Sequence, residues 1–168
     1  DVNAVRKGMG SDQRIGYHFL YPGCGFGGSC FPKDLKALIH TAEEQGVDAK
    51  LLKTVRDINN DQRQVLFNKL HDFFEGDLRG KVIALWGLAF KPDTDDMREA
   101  PSRYLMEALW QAGAIVHAYD PEAMTECRRL YGYRSDLQLC ATRDDCLQEA
   151  DALVICTEWK AFRVIDLP

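Results

Sequence analysis

The chain has 168 residues, 21 basic and 26 acidic side chains, a formal net charge of −5 and a hydrophobic content of 46%. That size and apolar content suit one medium domain, or parts of two, around a packed core. The charge deficit lies wholly in residues 81–168 and no basic stripe occurs, which excludes an electrostatic nucleic-acid binder; no apolar run is long enough to span a membrane as a helix.

In chain order, Asp1-Val2-Asn3-Ala4-Val5-Arg6 reads as the body of a helix, and Asp166-Leu167-Pro168 follows straight on a strand-like run. Both ends are expected to lie inside a longer protein. Next comes Gly23-Cys24-Gly25-Phe26-Gly27-Gly28-Ser29-Cys30-Phe31-Pro32-Lys33-Asp34. Glycines at this density let the main chain approach a ligand and expose its N–H groups. Cys30, Lys33 and Asp34 then put a nucleophile, a cation and an acid–base group on one short segment. The layout suits covalent chemistry on a small polar, phosphorylated molecule. A glycine turn followed by an inert cysteine satisfies the same residues. A helix start and a nearby lysine pull a thiol pKa below about 8.5, which favours a reactive Cys30.

Residues 32–45 read as a helix, with Pro32 in its first turn, Leu35, Leu38, Ile39 and Ala42 on one face, and Gly46 as the stop. A long helix is predicted over 49–74, where Leu51, Leu52, Val55, Ile58, Val65, Leu66, Leu70 and Phe73 keep the helical period until Gly76 and Gly80 break it. The period then changes. Residues 81–86 suit a buried parallel strand, 102–111 a helix, 114–120 a second strand, 121–131 a helix, 144–149 a short helix and 152–156 a third strand. The alternation predicts an α/β chain: a helical segment over 1–78 that carries the glycine loop, then a Rossmann-like, doubly wound parallel-sheet domain over 79–168, incomplete at the chain's ends.

Several motifs carry two readings. Residues 87–92 follow a strand but lack the GxGxxG spacing of a dinucleotide fingerprint. Asp120 stands where a ribose-binding carboxylate would, and equally where an aspartate caps a helix before Pro121. Lys91 and Arg98 flank Asp93, Asp95 and Asp96; they are either a solvated, locally paired loop or a strand-end lysine for a phosphate and a planar fork for a pyrophosphate. Residues 19–23 read as aromatic core filler and a turn. Cys24 reads as an apolar spacer. The six cysteines form no CxxC pair and the histidines at 18, 40, 71 and 117 are scattered, so no metal site is expected and a reduced, cytoplasmic setting fits best.

Three runs together resemble the UDP-glucose/GDP-mannose dehydrogenase family, most closely its bacterial UDP-glucose 6-dehydrogenases. They are residues 10–16 leading into Phe19-Leu20-Tyr21-Pro22-Gly23, the glycine–cysteine loop, and residues 87–101. The resemblance implies NAD-dependent four-electron oxidation of UDP-glucose to UDP-glucuronate. Cys30 would attack the C6 aldehyde and carry a thiohemiacetal and then a thioester, with Asp34 ordering or deprotonating water. It implies substrate contacts from Phe19, Leu20, Tyr21, Pro22, Gly23, Gly27, Phe90 and Lys91, and from Arg14 toward a neighbouring subunit's substrate. Lys33 and Arg98 would serve the cofactor side, and the helical segment a homodimer. It also implies an NAD domain, a lysine and an asparagine upstream of Asp1 and an arginine beyond Pro168, so the chain alone is expected to be inactive. A GDP-mannose or UDP-N-acetyl-hexosamine 6-dehydrogenase shares the cysteine chemistry and stays open. So does a dimerisation or nucleotide-binding module without chemistry.

Overall fold

A computed structural model describes residues 1–18 and 20–163. Helix α1 (Val2–Gly10) starts at Asp1, whose carboxylate accepts from the Asn3 N–H at 2.8 Å. Helix α2 (Phe31–Glu44) has Cys30 at its N-cap and Pro32 in the first turn, where a missing N–H costs no helical bond. Leu35 and Ile39, one turn apart, are buried against Ala49, Leu52 and Val55. Those last two belong to α3 (Lys50–Phe73), whose 24 residues make a rod about 36 Å long. The far end of this rod, through Leu66, Phe67 and Leu70, packs on a sheet. Helix α3 therefore joins a small helical core to a larger α/β core.

The sheet is built from β1 (Val82–Trp86), β2 (Ile115–Tyr119), β3 (Leu137–Leu139) and β4 (Ala152–Ile155), with α4 (Pro101–Gln111) after β1 and α5 (Met124–Tyr131) after β2. All pairings are parallel, in the order β3-β2-β1-β4. Strands buried on both faces need apolar side chains at every position, and β1 has them. Ile83 and Leu85 join α4's Leu105, Met106 and Leu109 on one face; Ala84 and Trp86 meet Cys146, Trp159 and Phe162 on the other. Each leucine sealed in this way contributes about 2 kcal/mol. The chain winds outward from β1 to β3, then returns to lay β4 on the other side of β1. This is the doubly wound, Rossmann-like α/β architecture expected from the sequence.

Three local expectations change. The strand expected third is the fourth, because residues 137–139 also form a strand. Three residues show no readable period; pairing with β2, Val116 opposite Leu137, defines them. The expected helix over 144–149 is a single 3-10 turn, Asp145–Leu147. Helix α5 starts later than expected because residues 121–123 form a turn on Asp120, whose Oδ1 accepts from the N–H groups of Glu122 and Ala123. Among the described residues no helix is long and apolar enough to cross a membrane.

Candidate functional site

The strand order reverses between β1 and β4, so the segments leaving their carboxyl ends diverge and open a crevice, the usual ligand position in such sheets. Asp120, 1% exposed, braces this point. Its Oδ2 accepts from the N–H groups of Leu88 at 2.6 Å and Ala89 at 3.1 Å, and from Trp159 Nε1 at 3.2 Å. With both oxygens committed to the protein, Asp120 is a turn anchor and clamp and not a free ribose acceptor; the N-cap of α5 is Ala123 and not the aspartate expected there. Thr157 Oγ1 donates to the Ala89 carbonyl at 2.6 Å, tying the segment after β4 to the segment after β1.

The glycine loop covers the crevice, and close main-chain approach explains its composition. Gly28 N–H donates to the Arg98 carbonyl at 2.8 Å. A Cβ on Gly27 would overlap the Glu99 carbonyl, and one on Gly28, at φ +89°, would meet the Phe90 ring at 2.7 Å. From the other side α3 grips the loop. Asn59 Oδ1 accepts from Phe26 N–H at 2.7 Å while its Nδ2 donates to the Phe26 carbonyl at 3.2 Å. Arg63, 7% exposed, donates to the Phe26 and Glu99 carbonyls and to Glu99 Oε2. Glu99, at φ +53°, also accepts from Tyr104 Oη at 2.6 Å and Lys36 Nζ at 3.2 Å. The Tyr104 hydrogen bond is the main reason its carboxyl is held below the usual range.

These contacts enclose a cleft of about 700 Å³. Of the residues singled out from sequence, Tyr21, Pro22, Gly23, Gly27, Phe90 and Lys91 line it. Cys30 stands exposed outside the cleft lining, three residues after Gly27, its Sγ 3.6 Å from Ser29 Oγ. Two cations lie within its electrostatic reach. A hydrogen bond to Asp34 at 2.6 Å raises the Lys33 pKa, one to Asp96 raises that of Arg98, and the field of Cys30 adds a smaller share to each. Lys33 and Asp34, singled out for separate roles, are thus paired with one another, both well exposed. Leu20 is half-buried outside the cleft lining, and Arg14 is bonded to Asp12 with its side chain 88% exposed. Phe19 lies outside the described residues.

Sequence reasoning missed the α3 wall: Val55, Ile58, Asn59 and Gln62, with Gln62 Nε2 donating to the Gly23 carbonyl at 2.9 Å. A signal was present. Asn59 and Arg63, one turn apart, place polar groups on one face of the helix. Cys156 and Glu158 also line the cleft and carried no signal; Pro101, which lines it too, closes the run 87–101. A second hollow, about 610 Å³, lies at the opposite end of the sheet around His71, Asp77 and Arg79, away from every cysteine and from the switch point. Among the described residues no three or more His, Cys, Asp or Glu side chains cluster to hold a metal ion.

Residues 1–61 match the central domain of the UDP-glucose/GDP-mannose dehydrogenase family, and residues 84–168 match its UDP binding domain. The chain belongs to this family. It is 50% identical over 169 residues to UDP-glucose 6-dehydrogenase of Pseudomonas aeruginosa and 43% identical over 166 residues to that of Rhizobium meliloti. Each alignment takes in 99% of this chain, which spans 37% of the length of these relatives. Among solved structures, a UDP-glucose dehydrogenase from the hyperthermophilic archaeon Pyrobaculum islandicum superposes with a TM-score of 0.88 at 34% identity, covering 97% of this chain and 37% of that one. A GDP-mannose dehydrogenase from Pseudomonas aeruginosa superposes at 0.69 with 29% identity, covering 95% and 38%. The two family domains meet in this chain where the glycine loop closes over the sheet's switch point.

Proposed function

We propose that the chain forms the nucleotide-sugar wall and supplies the nucleophile of a UDP-glucose 6-dehydrogenase, an enzyme that oxidises the C6 alcohol of UDP-glucose to the carboxylate of UDP-glucuronate. The observation that carries this reading is the cleft at the β1/β4 switch point, roofed by a glycine loop that ends on an exposed thiol, Cys30. In this reading residues 1–78 are part of the central, dimer-forming domain and residues 79–168 are the UDP-binding domain.

The nucleotide lies in the cleft, with Lys91 toward its phosphates or the sugar hydroxyls and Phe90 and Tyr21 against its flat faces. Gly27 lets the sugar approach the main chain. Cys30 Sγ bonds to the C6 aldehyde carbon as a thiohemiacetal and holds that carbon, once oxidised, as a thioester. The aldehyde therefore does not escape. Asp34 orders or deprotonates the water that releases the carboxylate, once its exposed bond to Lys33 is exchanged for the incoming groups. NAD, when bound, supplies the hydride acceptor for both oxidations. Lys33 and Arg98, exposed cations beside Cys30, fit the diphosphate of that cofactor. Segment 87–92 lacks the glycine spacing of a dinucleotide loop, and the family resemblance puts the main cofactor contacts on a separate NAD domain. Arg14, exposed and bonded to Asp12, is the residue this reading turns toward a neighbouring subunit once that bond is exchanged.

The test is NADH formation from UDP-glucose by the whole protein, wild type beside Cys30→Ala, with the 168-residue chain as a third sample. Two NADH per UDP-glucose, loss of turnover in the variant and no turnover by the chain alone are expected. Turnover of GDP-mannose or a UDP-N-acetyl-hexosamine instead keeps the cysteine chemistry and moves the substrate. No turnover of any nucleotide sugar overturns the reading in favour of a binding or dimerisation module.

A further inference from the structure

Two cysteines with no part in the proposed chemistry meet in the cleft wall. Cys24 belongs to the glycine loop and Cys156 directly follows β4, 132 residues away in sequence. The Cys24 thiol donates to the Cys156 carbonyl oxygen at 3.6 Å, and both residues line the cleft between the helical segment and the sheet. Both are free thiols. We propose that Cys24 and Cys156 are an oxidation site that forms a disulfide, stapling the glycine loop to the end of β4 across the cleft.

The two cysteines act on one another. The interaction with Cys156 holds the Cys24 thiol below its ordinary pKa, against the opposing effect of burial. The same interaction, together with desolvation, pushes the Cys156 thiol well above its own. Either sulfur can meet the oxidant first, since both line the cleft; the steps are the same with the two exchanged. With hydrogen peroxide, the Cys24 thiolate attacks one peroxide oxygen, the O–O bond breaks, and a sulfenic acid and one water result. The Cys156 sulfur then attacks the Cys24 sulfur, the S–S bond forms and the second water leaves. Overall the two thiols give up two electrons and two protons, and peroxide is reduced to two waters. Cys30 lies six residues along from Cys24, so the staple fixes the loop that presents it. The bond itself does not depend on the enzymatic reading.

Peptide mapping tests it. The chain is treated with hydrogen peroxide, free thiols are blocked with iodoacetamide, and trypsin digestion is run without reductant. Cys24 falls in the peptide of residues 15–33 with Cys30, and Cys156 in that of residues 144–160 with Cys146, so fragmentation spectra must assign the bond. Expected is a linked pair of these peptides joined through Cys24 and Cys156 and released by dithiothreitol. The link persists in Cys30→Ser and Cys146→Ser and is lost in Cys24→Ser and Cys156→Ser. A link running through Cys30 or Cys146, or full oxidation of Cys30 while Cys24 and Cys156 both remain alkylatable, overturns the proposal. The wild-type spectra decide it even if a variant fails to fold.

Discussion

Replacing Gly27 with alanine tests whether close main-chain contact holds the glycine loop on the sheet domain. The new Cβ would overlap the Glu99 carbonyl oxygen and sit 2.8 Å from its carbonyl carbon and 3.2 Å from Ala100 Cα. All three are main-chain atoms, so no side-chain rotation relieves the clash. Glu99 is itself fixed by Arg63, Tyr104 and Lys36. The loop has to lift, which stretches the 2.8 Å bond from Gly28 N–H to the Arg98 carbonyl and disturbs the Asn59–Phe26 pair. Overpacking of this kind costs about 1–3 kcal/mol, and a hydrogen-bonding group left unpaired costs about 1–3 kcal/mol more. The narrower unfolded ensemble of alanine returns about 0.4–1 kcal/mol. A net loss of about 2–4 kcal/mol is expected, seen in urea as a fall in midpoint of about 1–2 M for a slope of about 2 kcal/mol/M. Gly8→Ala is the control. It lies on the exposed side of α1 with nothing within 4 Å, and there alanine should stabilise by about 0.5–1 kcal/mol. A loss under about 0.5 kcal/mol for Gly27→Ala would show that the loop is not seated by this contact.

Asn59→Ala leaves the Phe26 N–H without its 2.7 Å partner and should cost about 1–3 kcal/mol in the same urea assay; an unchanged midpoint would remove Asn59 from the loop's support. Asp120→Asn turns one of two fully committed oxygens into a donor facing donors. A loss of about 2–4 kcal/mol is expected, with altered Trp159 fluorescence, whereas wild-type stability and emission would refute the clamp. The acid side of the stability curve follows from Glu99 and Asp151, whose folded pKa values are lowered, the first mainly by Tyr104 and the second mainly by the Val82 N–H. A lowered folded pKa gives stability that is complete above the unfolded value, about 4 for these groups, and is lost as pH falls below it. Urea midpoints should therefore be flat from about pH 6 to 8 and drop below about pH 4, less steeply in Glu99→Gln. An equal drop in that variant would exclude Glu99 as a source.

The division between what sequence and tertiary structure decide can be followed residue by residue. The 3.6-residue period through Leu35, Ile39, Leu66 and Leu70 fixes the two long helices, and the unbroken apolar run of β1 fixes a strand buried on both faces. Those signals are local, because each residue's partners on its own element sit at a constant spacing. The glycine–cysteine run likewise announces a close main-chain approach before any partner is known, since little else explains so many missing side chains beside a thiol. What the glycines approach is not local. Gly27 meets Glu99, 72 residues later, and Cys24 meets Cys156, 132 residues later. Only the sheet order β3-β2-β1-β4 creates the crevice where these segments converge. The short strand at 137–139 exists because β2 offers it an edge, and Asp120 becomes a clamp because Leu88, Ala89 and Trp159 turn their N–H groups toward it. Hydrogen bonding and close packing act between groups a few ångströms apart in space. The sequence therefore names the candidate side chains, and the fold alone decides which of them meet.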